Sequence, residues 1–409
     1  MIRPQPAAWF EVIAAVDDAR EVIDSLATAG CAEIEPPMIE PPIAKPQAAR
    51  LATERQGGTL PDGEIYARIT GWTSDAGQLV TCMERSPVRA LVHFPNAPEE
   101  VQAPLILRNA SWIQPFEIFA RMVGMPGRFS ADPSGLLVFV APILFGYMFG
   151  DVIQGIVLIV IGLAFQRRWP MLRLLVAGGI AATAFGFVFG AAGGIHGALP
   201  ALWVEPLDKP LPVLLAPLFF GGALLSLGVA LTGLEAYWRG KLGNWLCCEA
   251  GFLALYVGVL LAFLHPAGQV LAVAGAGIHI FGSVRQARRN SAMGAVFASL
   301  GELLEKLAQI LINTVSFIRV GAFALAHAGL SSALVSMVGA VNTTAGYVVV
   351  LIAGNALIIV IEVLVASIQT TRLVLFEFFT RFFQTTGREF RPLPPPAGSP
   401  EEIGNVPRT

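Results

Sequence analysis

Apolar and polar positions follow two regimes along the chain. Up to about residue 95 they alternate in short runs, and beyond residue 134 long apolar stretches are separated by brief polar breaks. In the first regime WFEVIAAV, CAEIEP, EIYARITGW and PVRALVHFP are rich in Val, Ile and aromatic residues, as strands are. DDAREVIDSLATAG and TSDAGQLVTCMERS have helical spacing. Asp17 and either Thr73 or Ser74 stand where helix N-caps belong, and Gly30 stands where the first helix would stop. The order strand, helix, strand, strand, helix, strand predicts a small ferredoxin-like α+β domain over residues 1–95, with a Pro-rich break at 36–46.

Residues 96–134 mix prolines with a short amphipathic stretch and form a linker. Apolar spans follow near 135–148, 150–165, 173–193, 212–235, 245–264, 268–284, 296–337 and 345–378. A span needs about 20 residues, so the first two are short and the last two long. The membrane domain thus covers 135–392, its last two helices reach about 296–337 and 345–383, and a Pro-rich tail occupies 393–409. The stretch 135–165 could be one helix, but a tight reversal around Gly146 and Gly150 keeps the later loops consistent. Arg167, Arg168 and Arg173 follow span two, Arg239 and Lys241 span four, Arg285, Arg288 and Arg289 span six, and Arg381, Arg388 and Arg391 span eight. Basic residues accumulate on the cytoplasmic side, so eight spans with both termini cytoplasmic satisfy the rule. Gly186, Gly190 and Gly194 repeat at the spacing of close-packed membrane helices.

Composition agrees. Of 409 residues 55% are hydrophobic and 14% charged, against about 25% charged in an ordinary globular domain. The formal net charge of -2, without a dense basic stripe, excludes a nucleic-acid partner. Cys31, Cys82, Cys247 and Cys248 show no CxxC spacing, so neither a disulfide nor a metal site is expected. The start has no basic segment before a long apolar core, and no cleavable signal is expected. There is no GxxxxGK[ST] loop, no HExxH and no nucleophile triad, so no cofactor is expected and the chain is not expected to be an enzyme by itself. His196, His265 and His279 are single residues near span ends and read as structural.

Span seven is where chemistry concentrates. At the helical period Glu305, Gln309, Asn313, Ser316, Arg319 and His327 share a wedge of about 120°. The stripe from Glu305 to His327 runs roughly 33 Å, about one hydrocarbon thickness. Glu302 and Lys306 read as an i,i+4 pair at a solvated helix end. Arg319 is different: an arginine at the centre of a span costs about 2.5 to 3.5 kcal/mol and cannot shed its proton. Span eight repeats the pattern, with Asn355, Glu362 and Gln369 at seven-residue spacing and Arg372 just beyond. Two such helices either bring their polar faces together or present both to a third partner. Of the chain's own carboxylates, Glu362, Glu305, Asp151 and Glu249 form no complete relay, so a partner bearing a mid-membrane carboxylate would complete the circuit.

These residues carry a family likeness. SFIRVGAFALAHAGLS at 316–331 resembles the penultimate-helix signature of the V-type and archaeal-type ATPase subunit a, also called subunit I. IEVLVASIQTTRLVLFEFFTRFF at 361–383 is similar to its last helix, and residues 104–151, ending MFGD, resemble its approach to the membrane. The likeness implies that Arg319 and Arg372 face a rotating proteolipid c/K ring and deprotonate its carboxylates in turn. It implies that Glu305, His327 and Glu362 line or support the half-channels and that Asp151 matches the aspartate of the first hairpin, while Gln309, Asn313, Ser316 and Gln369 are read in the same half-channel or supporting role from the stripes they share. It also implies a central-stalk partner d/C, peripheral-stalk E/G subunits, the lipid bilayer, and a prokaryotic plasma membrane.

Three departures stand out: Ile153 replaces a glycine, Gly321 a larger residue, and Thr385 the first of two glycines. Residues 36–63 leave no room for the family's long coiled coils, so the head resembles only the lobe nearest the membrane. The main alternative, a stand-alone secondary transporter or channel, predicts an internal repeat and paired broken helices, and the sequence has no such repeat.

Overall fold

A computed structural model describes residues 4–36, 43–44, 65–98, 101–107, 109–127, 130–132, 134–193, 199–286, 292–341, 343–379 and 387–395. His196, Gly194, Arg288, Arg289, Arg381, Thr385 and most of the Pro-rich break lie outside these residues. The chain is mostly helical, with a small α+β region at its N-terminus.

In the head, β1 is Gln5–Pro6, β2 Ala8–Ala15, α1 Ala19–Ala29, β3 Ala32–Ile34, β4 Ile43–Ala44, β5 Ile65–Thr73, α2 Ala76–Arg85 and β6 Leu91–His93. Strand β2 pairs with β5 along its whole length, and the sheet order is β3-β5-β2-β6, antiparallel throughout. Alternation along β2 divides the two faces. Phe10, Val12 and Ala14 pack with Val22 and Leu26 of α1 and with Leu79 and Met83 of α2. On the opposite face Trp9 meets Trp72 edge to face at 4.9 Å.

Gly30 ends α1 in the left-handed conformation, φ 64°. The cap of α2, however, is Asp75 rather than Thr73 or Ser74: its Oδ1 accepts from Gly77 N and Gln78 N. Thr73 is otherwise engaged, donating to Cys31 O at 2.9 Å. None of the four cysteines is in a disulfide. Burial pushes the Cys31 thiol above its ordinary pKa, so it is a packing residue rather than a nucleophile.

The head does not end at residue 95. Strand β7, Leu105–Ile106, pairs with β1, and the segment 387–395 returns from the last helix to run along the head. Arg388 places Nη1 2.9 Å from Glu33 and Nη2 2.8 Å from Glu35, Arg391 N donates to Glu33, and Leu393 N donates to Ala32 O. Reversing the charge with Arg388→Glu sets three carboxylates together. It is expected to raise hydrogen exchange at the Leu393 amide by about tenfold or more; unchanged protection would show that the ion pairs hold nothing in place.

Beyond α3, Glu117–Val123, come α4, Ser134–Met148, and α5, Val152–Phe165. These two are apolar but shorter than a span, and the chain turns between them at 149–151. Among the described residues, six helical stretches are long and apolar enough to cross a membrane. They are α6, Leu172–Phe189; α7, Pro210–Trp238; α8, Leu242–Ala262; α9, Ala267–Gln286; α10, Ala292–Ser316, continued by α11, Ile318–Gly339; and α12, Thr344–Arg372.

Helices α4 and α5 both pack on α6. Small residues permit the approach: a Cβ on Gly186 would come within 2.6 Å of the Asp151 carbonyl carbon. Ile153, one of the departures, lies over Gly193.

The stretch made of α10 and α11 is not one continuous helix. At Phe317 the hydrogen bonds change to i,i−3, from Phe317 N to Thr314 O and from Val320 N to Phe317 O. Phe317 is fully buried, its ring seated on Gly221 of α7. Gly321, four residues on, sits so close to α7 that an added Cβ would be 2.8 Å from Leu214 Cα. The turn therefore resets the angular phase between the two halves of the polar stripe, with Arg319 just after it.

Candidate functional site

The polar residues of the stripe divide into two environments. On α10, Leu303, Ile310 and Thr314 point into the core, while Glu305 and Gln309 lie exposed on the opposite side, 3.3 Å apart. Asn313 is half-buried. Thr314 is held by Tyr256 of α8 at 2.6 Å, which fixes which face of α10 is inward. Lys306 bridges Glu302 at 2.9 Å and Glu249 of α8 at 3.1 Å. Its charge is therefore matched within the chain.

Past Phe317 the stripe turns toward α12. Half-buried Arg319 donates Nη2 to Ser316 Oγ at 3.1 Å and Nη1 to Gln369 Oε1 at 3.5 Å. Further along, His327 Nδ1 donates to Glu362 Oε2. Among the described residues the buried Nε2 of His327 has no partner. Phe149, from the turn before α5, stacks obliquely on His327 with ring centroids 5.4 Å apart. Helices α11 and α12 thus run antiparallel, and the two polar contacts lie roughly 12 Å apart along α11. Arg372 stands exposed one helical turn from Gln369.

Asp151 belongs to a third cluster. It is fully buried, its Oδ1 accepts from Gln154 N at 2.9 Å and its Oδ2 accepts from Gly193 N at 2.6 Å. The first contact caps α5. Asn355 of α12 accepts from Gln154 Nε2 at 2.8 Å and donates to Gly193 O at 3.0 Å. Asp151 therefore fastens a turn and, through Gln154 and Gly193, tethers α12.

Two participants escaped the sequence. Gln154 is a lone amide in an apolar run, and its partner lies 201 residues away. Glu377, beyond α12, accepts from Ser316 Oγ at 2.5 Å. The remaining histidines are local: His279 Nδ1 donates to Cys248 O at 2.8 Å, and His265 Nδ1 accepts from Ala267 N at 3.1 Å.

A guanidinium on one helix, held by a hydroxyl and an amide, with a His–Glu pair further along the same seam, makes a polar seam through an apolar body. Fixed donors there stabilise an anion brought against them and exclude a free cation.

No family model matches the chain. Among curated proteins it is similar to the A-type ATP synthase subunit I of Thermococcus kodakarensis, 25% identical over 363 residues, covering 79% of this chain and 53% of that protein. The subunit I of Pyrococcus horikoshii is 25% identical over 332 residues, 73% of this chain and 48% of that one. That of Methanocaldococcus jannaschii is 26% identical over 355 residues, 73% and 50%. The chain spans about half the length of the curated relatives it matches. Relatives of one description, 24–26% identical and aligned over about three-quarters of its length, support a place for the chain in the V/A-type ATPase subunit a family, also called subunit I.

Proposed function

We propose that this chain is the ion-translocating stator subunit in the membrane sector of a rotary V/A-type ATPase, with the proton as its ion. The observation that carries the proposal is the half-buried Arg319, held by Ser316 and Gln369 in the seam that continues to His327 and Glu362. Arg319 and Arg372 act on the carboxylates of a proteolipid c/K ring. A fixed guanidinium lowers the pKa of a carboxylate brought against it, so the proton leaves on one side, and the carboxylate reloads from the other after it moves on. Glu305, Gln309 and Asn313 line one half-channel and Glu362 and His327 the other, with Asp151 in support. The cation blocks a straight leak between them.

In this proposal α4 and α5 each count as a membrane span, giving eight, with both termini cytoplasmic in a prokaryotic plasma membrane. Arg239, Arg388 and Arg391 all lie at the end of the bundle where the head packs, which agrees with the positive-inside rule. The head is a ferredoxin-like lobe, and its sheet order supports that assignment. It engages peripheral-stalk E/G subunits, and the membrane domain engages the central-stalk subunit d/C.

The test is purification of the tagged chain from native membranes in mild detergent. ATPase activity and a ring-forming proteolipid should elute with it in fixed proportion. Elution of the chain alone, from membranes whose ATPase complex is intact, would contradict the proposal.

A further inference from the structure

Glu377 lies outside every grouping that helical spacing predicts. Continued from Gln369 at the α-helical period, it falls about 80° from Gln369 and about 40° beyond Asn355, outside the arc that Asn355, Glu362 and Gln369 span. The chain does not keep that period. From Leu373 to Phe379 it winds as a π-helix, whose wider turn advances less per residue and swings Glu377 back toward the polar face. The residue is 8% exposed, and its Oε1 accepts the Ser316 hydroxyl at 2.5 Å. Ser316 Oγ in turn accepts from Arg319 Nη2 at 3.1 Å. A hydroxyl has one proton and two acceptor positions, so Ser316 can serve both neighbours only in this sense: it receives from the cation and donates to the anion.

We propose that Glu377 is a positioning residue for Arg319, acting through Ser316 to orient the guanidinium. The inference rests on the ion-translocating function proposed above. The intervening hydroxyl is the useful feature. A direct carboxylate–arginine pair is commonly bidentate, and it would occupy the fork that an arriving carboxylate needs. With Ser316 between them, only one N–H of Arg319 is committed to this side. A second points to Gln369, and the rest of the fork stays available. The π-turn also has a purpose here, since it brings the acid onto the seam.

The test uses the whole complex in sealed vesicles, comparing ATP-driven proton uptake per ATP hydrolysed at equal content of the chain. The variants are Glu377→Leu, Glu377→Gln, Ser316→Ala, the Ser316→Ala/Glu377→Leu double, and Arg319→Ala as reference. Glu377→Leu and Ser316→Ala should each lower coupled uptake about tenfold, the effect of stranding one buried polar partner. The double variant should be no worse than either single, since both break one chain of contacts. Glu377→Gln, whose Oε1 still accepts from Ser316, should retain most of the uptake. A Gln variant as damaged as Leu, losses that add in the double, or Ser316→Ala at full uptake would each overturn the inference while Arg319→Ala stays inactive. If Glu377→Leu does not assemble, Glu377→Gln and Ser316→Ala decide by the same criteria. Full uptake in Arg319→Ala would instead remove the underlying function.

Discussion

Asp151→Ala is expected to destabilise the membrane domain by about 3–5 kcal/mol, the cost of stranding two buried amides and losing a helix cap. Asp151 is fully buried and accepts from Gln154 N, in the first turn of α5, and from Gly193 N, just beyond α6. Both residues also bind Asn355, so the loss reaches α12. The midpoint of thermal unfolding of the purified complex in detergent should fall. Asp151→Asn, which keeps one acceptor oxygen, should fall less. An unchanged midpoint for alanine would show that water or a backbone shift satisfies those amides, and that the cluster does not fasten the turn.

Glu362→Leu is expected to cost about 3–5 kcal/mol as well, because it leaves His327 buried in the seam without its acceptor. The isosteric Glu362→Gln separates two roles. Its Oε1 can still accept from His327 Nδ1, so stability should recover, while proton uptake by the complex should not, since an amide cannot load and unload a proton at neutral pH. Recovery of both would reduce Glu362 to a packing residue.

Much of the architecture follows from patterns that act locally. Helix positions 172–189, 210–238, 242–262 and 267–286 are legible as apolar stretches between basic breaks, because the bilayer requires about 20 apolar residues wherever a helix crosses. The head's strand order follows from alternation, and Glu302–Lys306 from i,i+4 spacing. Arg319, Gln369, His327 and Glu362 stand out because polar groups are costly in such surroundings.

What could not be read depends on distant residues. The turn at Phe317 carries no glycine or proline signal in its own segment. It arises because Gly221, on another helix, leaves room for the ring. Glu377 is hidden by the assumption of a constant period, which the π-turn breaks. The Gln154–Asn355 bond joins Asn355, marked by its seven-residue spacing, to an amide with no local signature, and the return of 387–395 to the head appears only once Arg388 meets Glu33 and Glu35.

The central claim, that Arg319 is the fixed cation of ion transport, is tested most directly by ATP-driven proton uptake into vesicles containing the whole complex, wild type against Arg319→Ala at equal assembly. The account predicts that the variant complex assembles and hydrolyses ATP yet takes up no protons. Full uptake by the variant, with the complex intact, would contradict it and leave the polar seam as helix packing alone.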